Sequence, residues 1–320
     1  MLPGILLFNL GAMKLILITS FISFFTLLIS CSKEVKIDIP GYKKQLVVDG
    51  NIETGSPAIV LLSSSNDIYS PTNLDAYLNG FITGATVIVS DGTITDTLLE
   101  ICSDNLPAGT EEIAAAFFGI PVDQLVNLHL CAYITDQIVG EEGKTYSLKV
   151  IYEGKEYTAQ TTILPPTNLD DSFWKPEPGL PEYGFAWLKL TDGPQPGDSY
   201  KWEVKRISDF GFTKPFGPFF NDKFFNGLTF EFAYENPMSF NDPSIPDQYR
   251  GYYHQGDTIV MKLSKLGQSE FQFFEKKYNQ IYSSGNPFAT PVNLPSNLSG
   301  GALGIWAGFS PSYDTLICIQ

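Results

Sequence analysis

Arginine is almost missing from this 320-residue chain, histidine occurs twice, and only 17% of residues are charged. Guanidinium is confined to Arg206 and Arg250. Gripping a phosphate backbone takes clustered Lys and Arg, yet 35 acidic residues here outnumber 20 basic ones, for a net charge of −15. No nucleic-acid partner is expected. The fingerprints of common chemistries are missing too. There is no nucleophile elbow, no His-Glu-x-x-His, no P-loop and no dinucleotide glycine motif. His129 and His254 stand apart in sequence and no Cys-x-x-Cys accompanies them, so neither a metal nor a cofactor is expected.

What is abundant is apolar and turn-rich. Hydrophobic residues make up 43% of the chain and aromatics 14%, with 24 Phe, 16 Tyr, 28 Gly and 22 Pro. That excludes wholesale disorder and points to many short strands joined by turns. The length is enough for two cores. Near the start, Lys14 precedes an apolar run from Leu15 to Ile29. The run falls short of the about 20 residues of a membrane helix and matches the apolar region of a secretory signal beginning at Met13. It closes on Leu28-Ile29-Ser30-Cys31, which resembles a bacterial lipobox: an aliphatic residue three positions before the cysteine, and a small one before the cut. Residues 1–30 are therefore expected to leave as a signal peptide, with Cys31 lipidated and 31–42 serving as the tether. Several acyl chains on one cysteine anchor stably. Lys33-Glu34, just past that cysteine, is similar to the surface-export signal of Bacteroidetes lipoproteins and points to the cell surface.

The pattern beyond the tether is mainly β. Strands are expected at 45–52, 58–62, 85–92, 145–152 and 156–163, the last two flanking the Glu153-Gly154 hairpin signal. Strands at this spacing predict an immunoglobulin-like β-sandwich over 43–165, with a short helical or looped insertion at 110–126. After the Pro165-Pro166 linker, strands at 185–192, 200–206 and 257–263 predict a second β-rich domain over 166–320. It carries one helix near 269–282, where Phe271, Phe274, Tyr278 and Ile281 recur at helical spacing.

Two residue groups stay open. Cys102 and Cys131 are either a disulfide in an oxidising compartment or two buried thiols. The segment 210–240 is dense in Phe, and Phe219, Phe220, Phe224 and Phe225 are either a satellite core or a partner-binding surface.

The order of features resembles the Bacteroidetes lipoprotein family DUF4249. The resemblance is carried by Leu46-Val-Val-Asp-Gly50, by Gly143, Tyr146 and Leu148, and by Tyr157-Thr-Ala159. It continues through Asp192-x-Pro194 leading to Tyr200, Asp222 to Gly227 and Gly256-Asp257. Its most specific part is Asn286-Pro-Phe-Ala-Thr-Pro291, followed by Ser296-Asn-Leu-Ser-Gly-Gly301 and Gly304. The resemblance implies an outer-membrane lipoprotein acting as a non-enzymatic accessory, or substrate-capture partner, of a SusC-like TonB-dependent receptor. It brings no catalytic residues. The rival reading is a surface hydrolase or glycan-processing enzyme whose acidic residues, such as Asp170-Asp171 and Glu141-Glu142, meet only in the fold.

Overall fold

A computed structural model describes residues 43–65, 80–125, 127–282 and 293–319. The expected signal peptide, Cys31, the tether and Asn286–Pro291 lie outside the described residues.

Alternation builds the first strands. In β1 (Leu46–Glu53), Leu46, Val48, Gly50 and Ile52 take every second position and are buried, while the residues between them are half-buried. β2 (Pro57–Ser64) returns antiparallel to β1. β3 (Thr86–Ser90), β4 (Thr95–Thr97) and β5 (Leu99–Cys102) follow. The insertion then forms α1 (Glu111–Phe118) and α2 (Val122–Leu125) before β6 (Cys131–Val139). β7 (Thr145–Tyr152) and β8 (Lys155–Thr162) pair without a register break from Thr145↔Thr162 to Tyr152↔Lys155. Their two-residue turn needs positive φ at both positions, and Glu153 adopts φ 49 beside Gly154.

The second half runs β9 (Asp171–Glu177), β10 (Leu180–Thr191), β11 (Ser199–Arg206), β12 (Phe219–Asn221), β13 (Thr229–Tyr234), β14 (Tyr253–His254) and β15 (Thr258–Leu266). The helix α3 (Gln268–Tyr282) and the long strand β16 (Leu303–Ile317) complete it. The strands form an eight-stranded sheet, ordered β12-β11-β15-β16-β1-β2-β6-β5, and two four-stranded sheets. One of these is β4-β3-β7-β8; the other contains β13, β10, β14 and β9.

β16 splices the large sheet. Its first half pairs parallel with β1, from Val47↔Leu303 to Glu53↔Phe309. Its second half pairs antiparallel with β15, from Leu266↔Phe309 to Thr258↔Ile317. The two partners meet only at Phe309. Pro311 sits just beyond, where among the described residues β15 is its only strand partner, a position that tolerates a missing N–H.

Each half-sheet covers one small sheet. Val48, Ile52, Val60 and Leu62 pack against Val87, Val89, Leu148 and Val150 in a first core, which Trp306 and Ala302 of the C-terminal segment complete. Trp202, Val204, Ile259 and Met261 pack against Ala186, Leu188 and Leu190 in a second. The expected 165/166 boundary thus separates the two small sheets, while the eight-stranded sheet draws strands from both sides of it. α3 covers the opposite face of that sheet, with Phe271 and Phe273 on Ile305, Ala307 and Phe309.

Candidate functional site

The strand β12 divides its two phenylalanines between opposite faces, as strand alternation requires. Phe219 turns toward α3, where its ring lies flat on Phe274 at 4.9 Å and edge-on to Tyr278 at 5.4 Å. Phe220 enters the second core beside Tyr200, Phe232 and Tyr234. Phe225 joins it there, with its ring 3.9 Å from Phe230 and 6.4 Å from Tyr200. Phe224 does not pack inward. It is 86% exposed, with the Lys223 ammonium 5.3 Å from its ring centre. Phe216 (67% exposed) leans on Tyr282 at the end of α3, 4.6 Å between ring centres, and Phe210 is 62% exposed. Of the four phenylalanines singled out in sequence, three are therefore internal packing and Phe224 alone offers its ring to solvent.

The loop that carries Phe224 is held rigidly. Buried Asp222 accepts hydrogen bonds from the backbone N–H of Gly197 (2.6 Å) and Asp198 (3.0 Å). Buried Asp192 accepts from the Tyr200 hydroxyl and, at 3.2 Å, from Gly227 N–H. Burial first, and then the hydrogen bond to Asp192, push the Tyr200 phenol well above its usual range. Asp198 in turn pairs with Lys265 at 2.7 Å. Residues from Asp192 to Gly227, together with Lys265, thus meet in one knot beneath the aromatic loop.

Under α3, the large sheet carries a charged row that sequence reading did not find. Cross-strand neighbours Glu203 and Lys262, then Lys262 and Tyr313, lie side by side on β11, β15 and β16. Lys262 pairs with Glu53 at 2.6 Å and lies 3.7 Å from Glu203, which Lys201 contacts at 2.7 Å. Tyr313 donates to Glu53 at 3.1 Å, and Lys277 of α3 pairs with Asp49 at 2.8 Å. Burial opposes ionisation of Glu203, but Lys201, Lys262 and Lys214 together outweigh it and hold the carboxyl below its ordinary value. For Lys214, burial of the ammonium and then the nearby Lys201 lower the pKa, although the side chain as a whole reaches solvent. Among the described residues no carboxylate lies within ion-pair distance of Lys214. The signal was present as Lys201, Glu203 and Lys205 at every second position of one strand, but their partners come from strands far away in sequence.

Other candidates resolve locally. Cys102 and Cys131 are joined by a disulfide across directly paired positions of β5 and β6. His254 is exposed and edge-on to Tyr183, which stacks on Tyr249 at 4.2 Å. Glu141 pairs with Lys144 at 2.8 Å, and Asp170 accepts from Thr191 at 2.6 Å.

Several of the described motif residues surround Trp306. Its indole N–H donates to the Tyr146 carbonyl at 3.0 Å, and a Cβ at Gly50 would lie 2.8 Å from its ring. Asn297 donates to the Trp306 carbonyl at 2.8 Å and accepts from its N–H at 3.0 Å, capping the edge of β16 that β15 leaves open. Gly304 takes φ 102, with Val48 O where a Cβ would stand.

These features define a mainly β protein of two sheet-on-sheet lobes joined through one strand, with an aromatic loop locked by buried carboxylates. The chain belongs to the DUF4249 family, a domain of unknown function, whose model matches residues 32–313. No curated protein matches it.

Proposed function

We propose that this protein is a non-enzymatic accessory lipoprotein of the outer membrane, anchored through acylated Cys31, that docks on a TonB-dependent receptor and assists capture of its substrate. The observation that carries the docking reading is Phe224, 86% exposed on the loop between β12 and β13, while its neighbour Phe225 packs in the second core. An exposed ring on a pre-ordered loop buries its area at little entropic cost, which is how aromatic anchors dominate interfaces. The anchor rests on Leu28-Ile29-Ser30-Cys31. The absence of a catalytic fingerprint in the sequence, and the local commitments of Glu141 and Asp170, favour this reading over the hydrolase.

The docking test is affinity purification from native membranes with wild type and Phe224→Ser. A large barrel protein should come with the wild type and fall at least tenfold in the variant, while both melt at the same temperature. Equal recovery from both would sink the Phe224 interface. For the anchor, Cys31→Ser should abolish palmitate labelling and release the protein from membranes.

A further inference from the structure

Outside the aromatic loop, one group of side chains has the makings of a site. Cys102 ends the edge strand β5 and faces Cys131, the first residue of β6. His129 lies two residues before Cys131, and its Nε2 is 3.5 Å from the Cys131 sulfur. One ligand atom from each of these three residues lies within 4.8 Å of the others. The Nδ1 of His129 is 3.1 Å from Asp104 Oδ2, in the turn following Cys102. That contact orients the ring so that Nε2 faces the sulfurs, the carboxylate–histidine arrangement that supports a metal ligand. Two sulfurs, one oriented imidazole and a solvent-facing side are the donor set of an open zinc site. His129 is exposed and Cys102 half-buried, so an ion has a way in.

We propose that Cys102, Cys131 and His129 form a Zn2+ site gated by their own disulfide. With the S–S bond intact, neither sulfur is a thiolate and the site is closed. A dithiol reductant opens it: two electrons and two protons convert the bond into two thiols, and the reductant leaves as its own disulfide. Zn2+ then displaces the two thiol protons to solvent and binds both thiolates and His129 Nε2, with water in the fourth position. Hydrogen bonds also join the two segments beside the disulfide. Ser103 N–H donates to the Leu130 carbonyl at 2.8 Å, Leu130 N–H donates to Ser103 Oγ at 3.0 Å, and that hydroxyl also donates to Leu128 O. Leu125, Leu130 and Ala115 form an apolar cluster close by. This clamp keeps the strands in place after reduction.

The test uses the full chain with Cys31→Ser and Cys318→Ser, so that only the two site thiols remain. The oxidised protein should bind no Zn2+ above background, and the reduced protein about one equivalent. Co2+ in place of Zn2+ should give a thiolate-to-metal charge-transfer band. Asp104→Asn should weaken binding about 10–100-fold, and His129→Ala should weaken it more; both residues are exposed, so the fold is spared. Reoxidation should release the metal. Equal Zn2+ uptake by oxidised and reduced protein, a Co2+ complex without the charge-transfer band, or unchanged affinity in His129→Ala would each overturn the proposal.

Discussion

At the scale of single residues, buried ionisable groups make the sharpest predictions. Glu203 is almost fully buried, and its carboxyl is held below the ordinary value of 4.5 by the lysines around it. A depressed carboxylate contributes stability above its unfolded pKa and loses it as pH falls through the folded one. Acid unfolding should therefore begin below pH 4.5, and Glu203→Gln should flatten that limb of the stability curve. The same change leaves Lys201 and Lys262 short of a partner and should cost about 3–5 kcal/mol at neutral pH by urea titration. Cys318 behaves in the opposite sense. Burial, and then the charge of Asp257, push its thiol up to about 12. A raised acid contributes stability that is present below its unfolded pKa, near 9, and disappears as pH climbs toward 12. Native protein at pH 9 should resist alkylation at Cys318, and reaction should appear only in denaturant. Neither residue stood out in sequence, because burial is a property of distant partners: Glu203 owes its environment to Lys262, and Cys318 lies in a core with Tyr253 and Ile259.

At the scale of elements, legibility followed alternation. β1, β7 and β8 were readable because one face of each is buried and the other is not. β11 and β15 are buried on both faces in mid-strand and were readable because apolar and polar residues alternate in their sequence, and α3 because its aromatics recur at helical spacing. β16 was not. It is buried on both faces from Gly304 to Phe309, so no alternation marks it, and Gly304, Gly308 and Pro311 read as turn residues. The Phe-rich segment was legible in composition only; that β12 would send Phe219 and Phe220 to opposite cores depended on its pairing with β11. Two element-level outcomes follow. A double-mutant cycle on Phe219 and Phe274, each changed to Leu, should show about 0.5–1.5 kcal/mol of coupling from the stacked rings. Gly304→Ala combines a left-handed backbone with a clash against Val48 O; it should destabilise by at least about 2 kcal/mol, seen as a lower urea midpoint.

At the scale of the whole molecule, the expected 165/166 boundary falls between the two small sheets, but the eight-stranded sheet that runs across it was not legible. The first core is unfinished without Trp306, whose indole bonds to Tyr146 and fills the space that Gly50 leaves. A fragment of residues 43–165 should therefore give poorly dispersed amide resonances and no cooperative melt. A sharp melt from that fragment would show that the first lobe stands without β16.

The parallel pairing of β1 with β16 also sets a clock on biosynthesis. Translation at about 5–20 residues per second leaves roughly 10–50 s between the appearance of Glu53 and that of its partner Phe309. Throughout that interval the edge of β1 that β16 will occupy lacks its partner, and a non-local pairing of this kind is slow to form even once both strands exist. The nascent chain therefore stays loose until nearly all of it has been made. That is the state in which a polypeptide can still be threaded through a translocation pore, and in which a holding chaperone has something to grip.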